Sequence, residues 1–470
     1  MKTYLYPGRE QWAQLCRRAD SDDSVIDGRV RAILDRVRTG GDAALVEITR
    51  EVEGRDVARV AQSSDNQLGA QSASTQNEGR DIPESADTER AGLHTSAAGN
   101  APENPFRVSR QQIAGAAAQV GEPLKRAIAA AAANIEVFHA AQKPQPVEVT
   151  TTEGVRCVRR QLPIERVGLY IPGGSAPLFS TLLMLAIPAR LAGCREVVLC
   201  TPAGRDGCIA PAVLYAADFC GIDTIYSLGG AQAIAAMAYG TETIAPVSKI
   251  FGPGNRYVTK AKQMVSAAGV AIDMPAGPSE VMVMADETAD VSFVASDLLS
   301  QAEHGPDSQA MLLCLSEDFA SRVAAETARQ LALLPRRDIA SKALENSRLI
   351  VLGSRAEAIA FANCYASEHL IISMSDPWEV ADAITAAGSV FIGNYSPESA
   401  GDYASGTNHT LPTMGLARAF SGIGLDSFMH SVTYQQLSRE GLARLGDTIV
   451  QMAQAEGLDA HAAAVKLRLQ

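Results

Sequence analysis

Near the middle of the chain, Ser300-Gln301-Ala302-Glu303-His304-Gly305-Pro306-Asp307 sets a glutamine and a histidine three residues apart. They follow an apolar-patterned segment, Val291 to Leu299. On a helix this spacing puts both side chains on one face. An amide oxygen and an imidazole nitrogen aimed the same way suit a divalent metal. Glu368-His369, Asp402 and His461 are further candidates downstream. Together they point to a metal-dependent enzyme whose site is assembled from distant parts of the chain.

Each candidate also has a plainer reading. Glu368-His369 adjoins the apolar run Leu370-Ile371-Ile372, and adjacent residues in a regular strand point to opposite faces. At a strand end both could reach a pocket and offer two bases of different pKa. On these residues alone, a surface Glu followed by a structural His is the simpler reading. Asp402 sits in a polar, glycine-containing loop, where a carboxylate ligates a metal or makes an Asx-turn. His304, His369, His409 and His461 stand in polar, loop-adjacent settings. His139 reads as a surface residue at a helix end, His430 as a packed one, and His94 as inert. Cys364 lacks a nearby cation or helix start to lower its pKa, so it reads as packing.

The elements that must carry these residues follow a strand–loop–helix pattern. Residues 1–54 read as helical. From about 55 to 104 the chain is rich in Ser, Gln, Asn, Asp, Glu and Gly without an aromatic residue, and reads as a mobile surface insertion. From Arg166 onward, strands at 167–171, 196–200 and 224–228 alternate with helices at 181–192, 210–220 and 231–239, as βαβ units do. A second series has strands at 281–285, 310–314, 349–352, 370–372 and 390–392. The last 50 or so residues read as helical. Glycine loops at Pro172-Gly173-Gly174, Gly229-Gly230-Ala231 and Gly252-Pro253-Gly254-Asn255 favour phosphate binding, though none is a GxGxxG or a Walker loop.

Composition excludes several classes. The formal net charge of −12 argues against nucleic-acid binding. No apolar run is long enough to span a bilayer, and the N-terminus lacks the apolar core of a secretion signal. The eight cysteines form no CxxC pair and read as buried thiols of a reducing compartment. A cytoplasmic protein is expected.

The chain resembles the L-histidinol dehydrogenase family. The motifs that carry the resemblance are VGLYIPGG at 167–174, IFGPGN at 250–255, DMPAGPSE at 273–280, SQAEHGPDSQ at 300–309, SEHLII at 367–372 and SPESAGDYASGTNHTLPT at 396–413. The segment at 55–104 departs from it, being longer and more polar than the short link expected there. The resemblance implies four-electron oxidation of L-histidinol to L-histidine by NAD, through bound histidinal. It implies one Zn²⁺ per subunit on Gln301, His304, Asp402 and His461, although a glutamine ligand also admits Mn²⁺ or Co²⁺. His369 corresponds to the general base and Glu368 to the group that activates water. Tyr170, Gln232 and Asn255 match NAD-contacting positions. Ser279, Gln301, His304, His369, Asp402, His409, Glu456 and His461 match substrate-contacting ones. A homodimer is implied, with intertwined tails that carry Glu456 and His461 into the neighbouring site. The rivals are a related NAD/zinc dehydrogenase of another small alcohol, such as a sulfonated diol, or a non-catalytic NAD- or metal-binding protein.

The expected fold is α/β, with two Rossmann-like parallel-sheet domains, one inserted in the other. The expected parts are a helical N-terminal region (1–54), the polar insertion (55–104) and a discontinuous catalytic and metal domain (105–165 with 273–420). An inserted NAD-binding domain (166–272) and a helical dimerisation tail (421–470) complete them.

Overall fold

The computed structural model describes residues 1–18, 24–55, 57, 104–173, 177–204 and 207–470. Nearly all of the polar stretch, with His94, lies outside them, as does Gly174 of the first glycine loop. The chain opens on a strand, β1 (Lys2–Leu5), followed by α1 (Arg9–Leu15) and the long α2 (Ser24–Glu53). Helices α3 (Arg110–Gln119) and α4 (Glu122–Ala140) lead to β2 (Val147–Thr152) and β3 (Val155–Pro163).

Strands and helices then alternate: β4 (Arg166–Tyr170), α5 (Phe179–Ala192), β5 (Glu196–Thr201), α6 (Pro211–Phe219), β6 (Thr224–Ser227), α7 (Gly230–Tyr239), β7 (Lys249–Phe251), α8 (Arg256–Ala267) and β8 (Ala271–Ile272). These strands pair in parallel, in the order β6-β5-β4-β7-β8. Crossover helices cover both faces, so β4 and β5 bury nearly every side chain, as their continuous apolar runs require. Leu169 packs toward α5 and α6, and Tyr170 toward α2 and α7.

A second series comprises β9 (Glu280–Ala285), α9 (Val291–Ala302), β10 (Gln309–Cys314), α10 (Glu317–Leu331), α11 (Arg337–Glu345), β11 (Arg348–Val351), α12 (Arg355–Tyr365), β12 (His369–Ser373), α13 (Pro377–Ala381), β13 (Ser389–Ile392) and α14 (Glu398–Tyr403). Its strands and β1 form a six-stranded parallel sheet, β1-β11-β10-β9-β12-β13. Alternation along β9 sends Met282 and Met284 to the face of Trp12, Phe361 and Tyr365, and Val281 and Val283 to that of Val294 and Phe319.

Three expectations give way here. The N-terminal region is not wholly helical: β1 adds an edge strand, and its mostly exposed side chains carry little apolar signal. The tail contains a strand, β14 (Met429–Leu437), before α15 (Arg439–Ala455) and α16 (Asp459–Leu469). β14 pairs antiparallel with β3, which also pairs with β2. It escapes a pattern search because its outer positions are polar and exposed. The two histidine readings reverse as well. His139 is fully buried, with Nδ1 2.9 Å from the Ile135 carbonyl and Asn408 against its other nitrogen, whereas His430 lies exposed on β14. No helix among the described residues is long and apolar enough to cross a membrane.

Candidate active site and metal centre

The two sheets meet around a cavity of about 170 Å³. From the strand starts of the six-stranded sheet come Ser279, Glu368 and His369; from the loops beyond it come His304 and His409, and from α14 comes Asp402. The five-stranded unit supplies Gly252, Pro253, Lys262 and Asp273, and α5 supplies Ser180 and Thr181.

Both Glu368 and His369 reach this cavity, so the simpler sequence reading of the pair does not hold. The reason is local. Ala366 caps α12 in the left-handed region at φ 54°, which is uncommon for a residue with a side chain. The chain therefore turns before it enters β12, and Glu368 is not bound by strand alternation. Its Oε2 accepts from the Glu280 amide at 2.8 Å. Burial, with the charges of Glu280 and Asp402 adding to it, holds the Glu368 pKa well above the usual carboxylate value.

His369 opens β12. Its Nδ1 lies 3.3 Å from the Glu280 carbonyl oxygen, 3.4 Å from Glu398 Oε1 and 3.7 Å from Glu368 Oε2. An imidazole nitrogen ringed by acceptors carries the proton. The other nitrogen, Nε2, is then left with its lone pair and no hydrogen-bond partner, 3.7 Å from Asp402 Oδ1. Burial pulls the pKa of the ring down to about 3, so it is neutral, with a free basic nitrogen, at ordinary pH.

The metal candidates cluster beside it. Glu398 and Asp402 are one helical turn apart on α14, which puts them on one face. One ligand atom from each of His304, Glu398 and Asp402 lies within 4.8 Å of the others. Burial raises the Asp402 pKa to about 6, with His304 pulling the other way. Glu398 is buried with neither carboxylate oxygen hydrogen-bonded, and its pKa is raised by burial and by the charges of Asp402, Glu368 and Asp297. Gln301, in the last turn of α9, is fully buried with both amide atoms unpartnered. α9 stops at Ala302, so His304 stands just past its end. The His304 amide bonds the Gln301 carbonyl at 3.3 Å, and its ring, 42% exposed, lies 4.0 Å from Asp402. Buried polar atoms without partners call for an explanation, and a divalent cation among two carboxylates, an imidazole and an amide oxygen supplies one. The donor set fits zinc.

Sequence reasoning missed Glu398. The four-residue step to Asp402 could have found it, by the same one-face argument that linked Gln301 to His304. His409 is better described as a brace: Nδ1 is 2.8 Å from the Asp402 carbonyl oxygen and Nε2 3.0 Å from Thr181 Oγ1, and burial lowers its pKa to about 4.

Tyr170, Gln232 and Asn255 stand apart from this cavity, at the carboxyl edge of the five-stranded sheet. Tyr170 Oη accepts from the Gly230 amide at 3.1 Å. Gln232 donates to Glu53 at 3.2 Å, and Asn255 caps α8 through the Tyr257 and Val258 amides. Gly252 joins this edge to the cavity. Its φ is 121°, and a Cβ there would lie 2.0 Å from the Tyr170 carbonyl oxygen. Asp273 accepts from its amide at 2.8 Å and Lys262 donates to its carbonyl at 2.8 Å, the two side chains forming a buried ion pair. Glu456 and His461 are exposed, at the end of α15 and in α16, and do not line the cavity of their own chain.

Comparison with known proteins points to one family. A family model described as histidinol dehydrogenase matches residues 94–469. The histidinol dehydrogenase of Bacteroides fragilis (strain YCH46) is 49% identical over 470 residues, covering 100% of this chain and 99% of that protein. That of Vibrio parahaemolyticus is 48% identical, covering 98% and 96%. The crystal structure of histidinol dehydrogenase from Elizabethkingia anophelis superposes with a TM-score of 0.87 at 47% identity, covering 100% of this chain and 98% of that one.

Proposed function

The chain belongs to the histidinol dehydrogenase family, and from that premise we propose that it oxidises L-histidinol to L-histidine in histidine biosynthesis, with NAD as oxidant and zinc at the site. The observation that carries the reading is the neutral, buried His369 with its free Nε2 in one small cavity with Glu368 and the candidate metal ligands His304 and Asp402.

Gln301, His304 and Asp402, with His461 of the partner subunit, would hold Zn²⁺, with the Glu398 carboxylate beside them, and the ion would serve mainly to orient the substrate. NAD, read by Tyr170, Gln232 and Asn255, would accept a hydride in each of two rounds. His369 takes the hydroxyl proton of histidinol at Nε2, while the Glu280 carbonyl keeps the opposite nitrogen protonated. Glu368 then takes a proton from the water that adds to the bound aldehyde, which requires its carboxylate form; positive charge nearby would draw its raised pKa down. Ser279, His409 and, from the neighbouring subunit's tail, the Glu456 position complete the substrate contacts. Holding the aldehyde in place between the two rounds keeps it from being released to solvent.

This reading divides the chain as expected: 105–165 with 273–420 as the catalytic part, 166–272 inserted for NAD, and 421–470 as the tail of a cytoplasmic homodimer. Supporting it, the strands of the five-stranded sheet all fall within 166–272. The test is stoichiometric. Limiting L-histidinol with excess NAD⁺ should yield two NADH and histidine, with activity lost on chelation and restored by Zn²⁺. One NADH would overturn the role given to Glu368, and none would overturn the substrate.

A further inference from the structure

Glu368 and His369 hang from the main chain of a single residue. Glu280, the first of β9, donates its amide to Glu368 Oε2 at 2.8 Å and turns its carbonyl to His369 Nδ1 at 3.3 Å. The spacing of the two groups therefore depends on where residue 280 sits. The Glu280 side chain does not line the cavity; it points away and is gripped from behind. Oε1 accepts from Arg18 Nε at 3.0 Å and from the Met414 amide at 2.6 Å, and Oε2 accepts from Arg18 Nη2 at 2.7 Å. This is the two-pronged pairing that only a guanidinium offers a carboxylate.

Arg18 also holds the other approach to the pair. Its Nη2 donates to the Tyr365 carbonyl at 2.8 Å, and its guanidinium carbon lies 3.7 Å from the centre of the Tyr365 ring. Tyr365 ends α12, directly before the left-handed Ala366 that steers Glu368 into place. Gln309, at the start of the neighbouring strand β10, accepts from Tyr365 Oη at 2.6 Å. One side chain from the N-terminal segment thus ties together the starts of β9 and of the turn into β12. Arg18 itself does not line the cavity.

We propose that Arg18 is a positioning residue for the dehydrogenase reaction, setting the separation of Glu368 and His369 through Glu280 and Tyr365. This rests on the function proposed above. Without the guanidinium, the buried Glu280 carboxylate loses its paired charge and shifts to find water or a proton. Displacing catalytic groups by about 1 Å costs on the order of 100-fold in rate.

The test uses the full-length, zinc-loaded enzyme with L-histidinol and NAD⁺. Arg18→Ala should lower kcat about 100-fold while KM for both substrates stays within about twofold, and added guanidinium ion should recover about tenfold of the loss. Zinc content should not change. Arg18→Lys, which keeps the charge but not the fork, should lie between. Should Arg18→Ala not fold, Arg18→Lys and Glu280→Gln decide: the proposal requires kcat to fall about tenfold with an unshifted melting temperature. A folded Arg18→Ala enzyme with unchanged kcat overturns the proposal, as does a loss that guanidinium leaves untouched and that tracks melting temperature alone. Absence of NADH from the unsubstituted enzyme would instead overturn the assigned reaction.

Discussion

The five-stranded and six-stranded sheets are both parallel and both helix-covered, yet they turn opposite edges to their candidate sites. The smaller sheet follows the general rule for open α/β sheets: Tyr170, the loops at Gly229-Gly230 and Gly252-Pro253-Gly254, Gln232 and Asn255 lie at or beyond the carboxyl ends of β4, β6 and β7. The larger sheet contributes Ser279, Glu368 and His369 at the amino ends of β9 and β12. Polar groups at the carboxyl edge are largely paired already, as the cap on α8 and the clamp on Gly252 show. Those at the amino edge are not: Glu398, Gln301 and His369 Nε2 lack partners, and three neighbouring carboxyls have raised pKa values. One edge has its polar groups already held in place. The other holds an electrostatic imbalance that a cation would settle.

That contrast can be broken by substitution. The largest effect belongs to the amino edge: His369→Gln should cut kcat by about 10³-fold while leaving NAD binding intact, measured by NADH formation and by titration with NAD⁺. Next, Zn²⁺ at about 1,000 times its Kd should stabilise the protein by about 4 kcal/mol, and Asp402→Ala should abolish the gain, measured by chemical denaturation with and without chelator. At the carboxyl edge, Gly252→Ala should destabilise by about 2–3 kcal/mol and weaken NAD binding while zinc content holds, because strain there does not touch the metal donors. The smallest effect is one of pH. Burial raises the Asp297 pKa to about 7, against an ordinary value of 3.8. The folded state thus keeps a proton that the unfolded chain releases, and stability falls as pH rises from about 4 to about 7. Asp297→Asn cannot ionise, so in the metal-free protein its stability relative to the parent should rise by more than about 1 kcal/mol between pH 4 and pH 8. Equal melting shifts at both pH values would remove Asp297 from the imbalance.

How well the two halves could be read from sequence also differs, for physical reasons. Strands β4, β5 and β6 show as continuous apolar runs because both faces are buried, and their ends fall within about a residue of expectation. β1, β2 and β14 keep mostly exposed side chains, so their pairing rests on backbone hydrogen bonds that leave no apolar pattern. His139 was misjudged because its cover, the segment around Asn408, lies 269 residues away. Within the site, Gln301, His304 and Asp402 were legible as residue types in polar surroundings. Glu368 with His369 was not, since a single left-handed alanine, Ala366, undoes the alternation that strand geometry would impose. Glu280 and Arg18 gave no signal, because their part is played by main-chain atoms and by a contact spanning 262 residues.

The first strand has a consequence for how the molecule is made. β1 lies at the edge of the six-stranded sheet, where Lys2 pairs with Arg348 and Leu5 with Val351. Those partners leave the ribosome about 340 residues after β1, which at about 5–20 residues per second is a wait of roughly 20–70 seconds. The five-stranded sheet needs no such delay, since its strands lie together in the chain. Synthesis therefore completes the five-stranded sheet first, while an unpaired N-terminal strand stays available to chaperones or to the wrong sheet edge until the six-stranded half arrives to claim it.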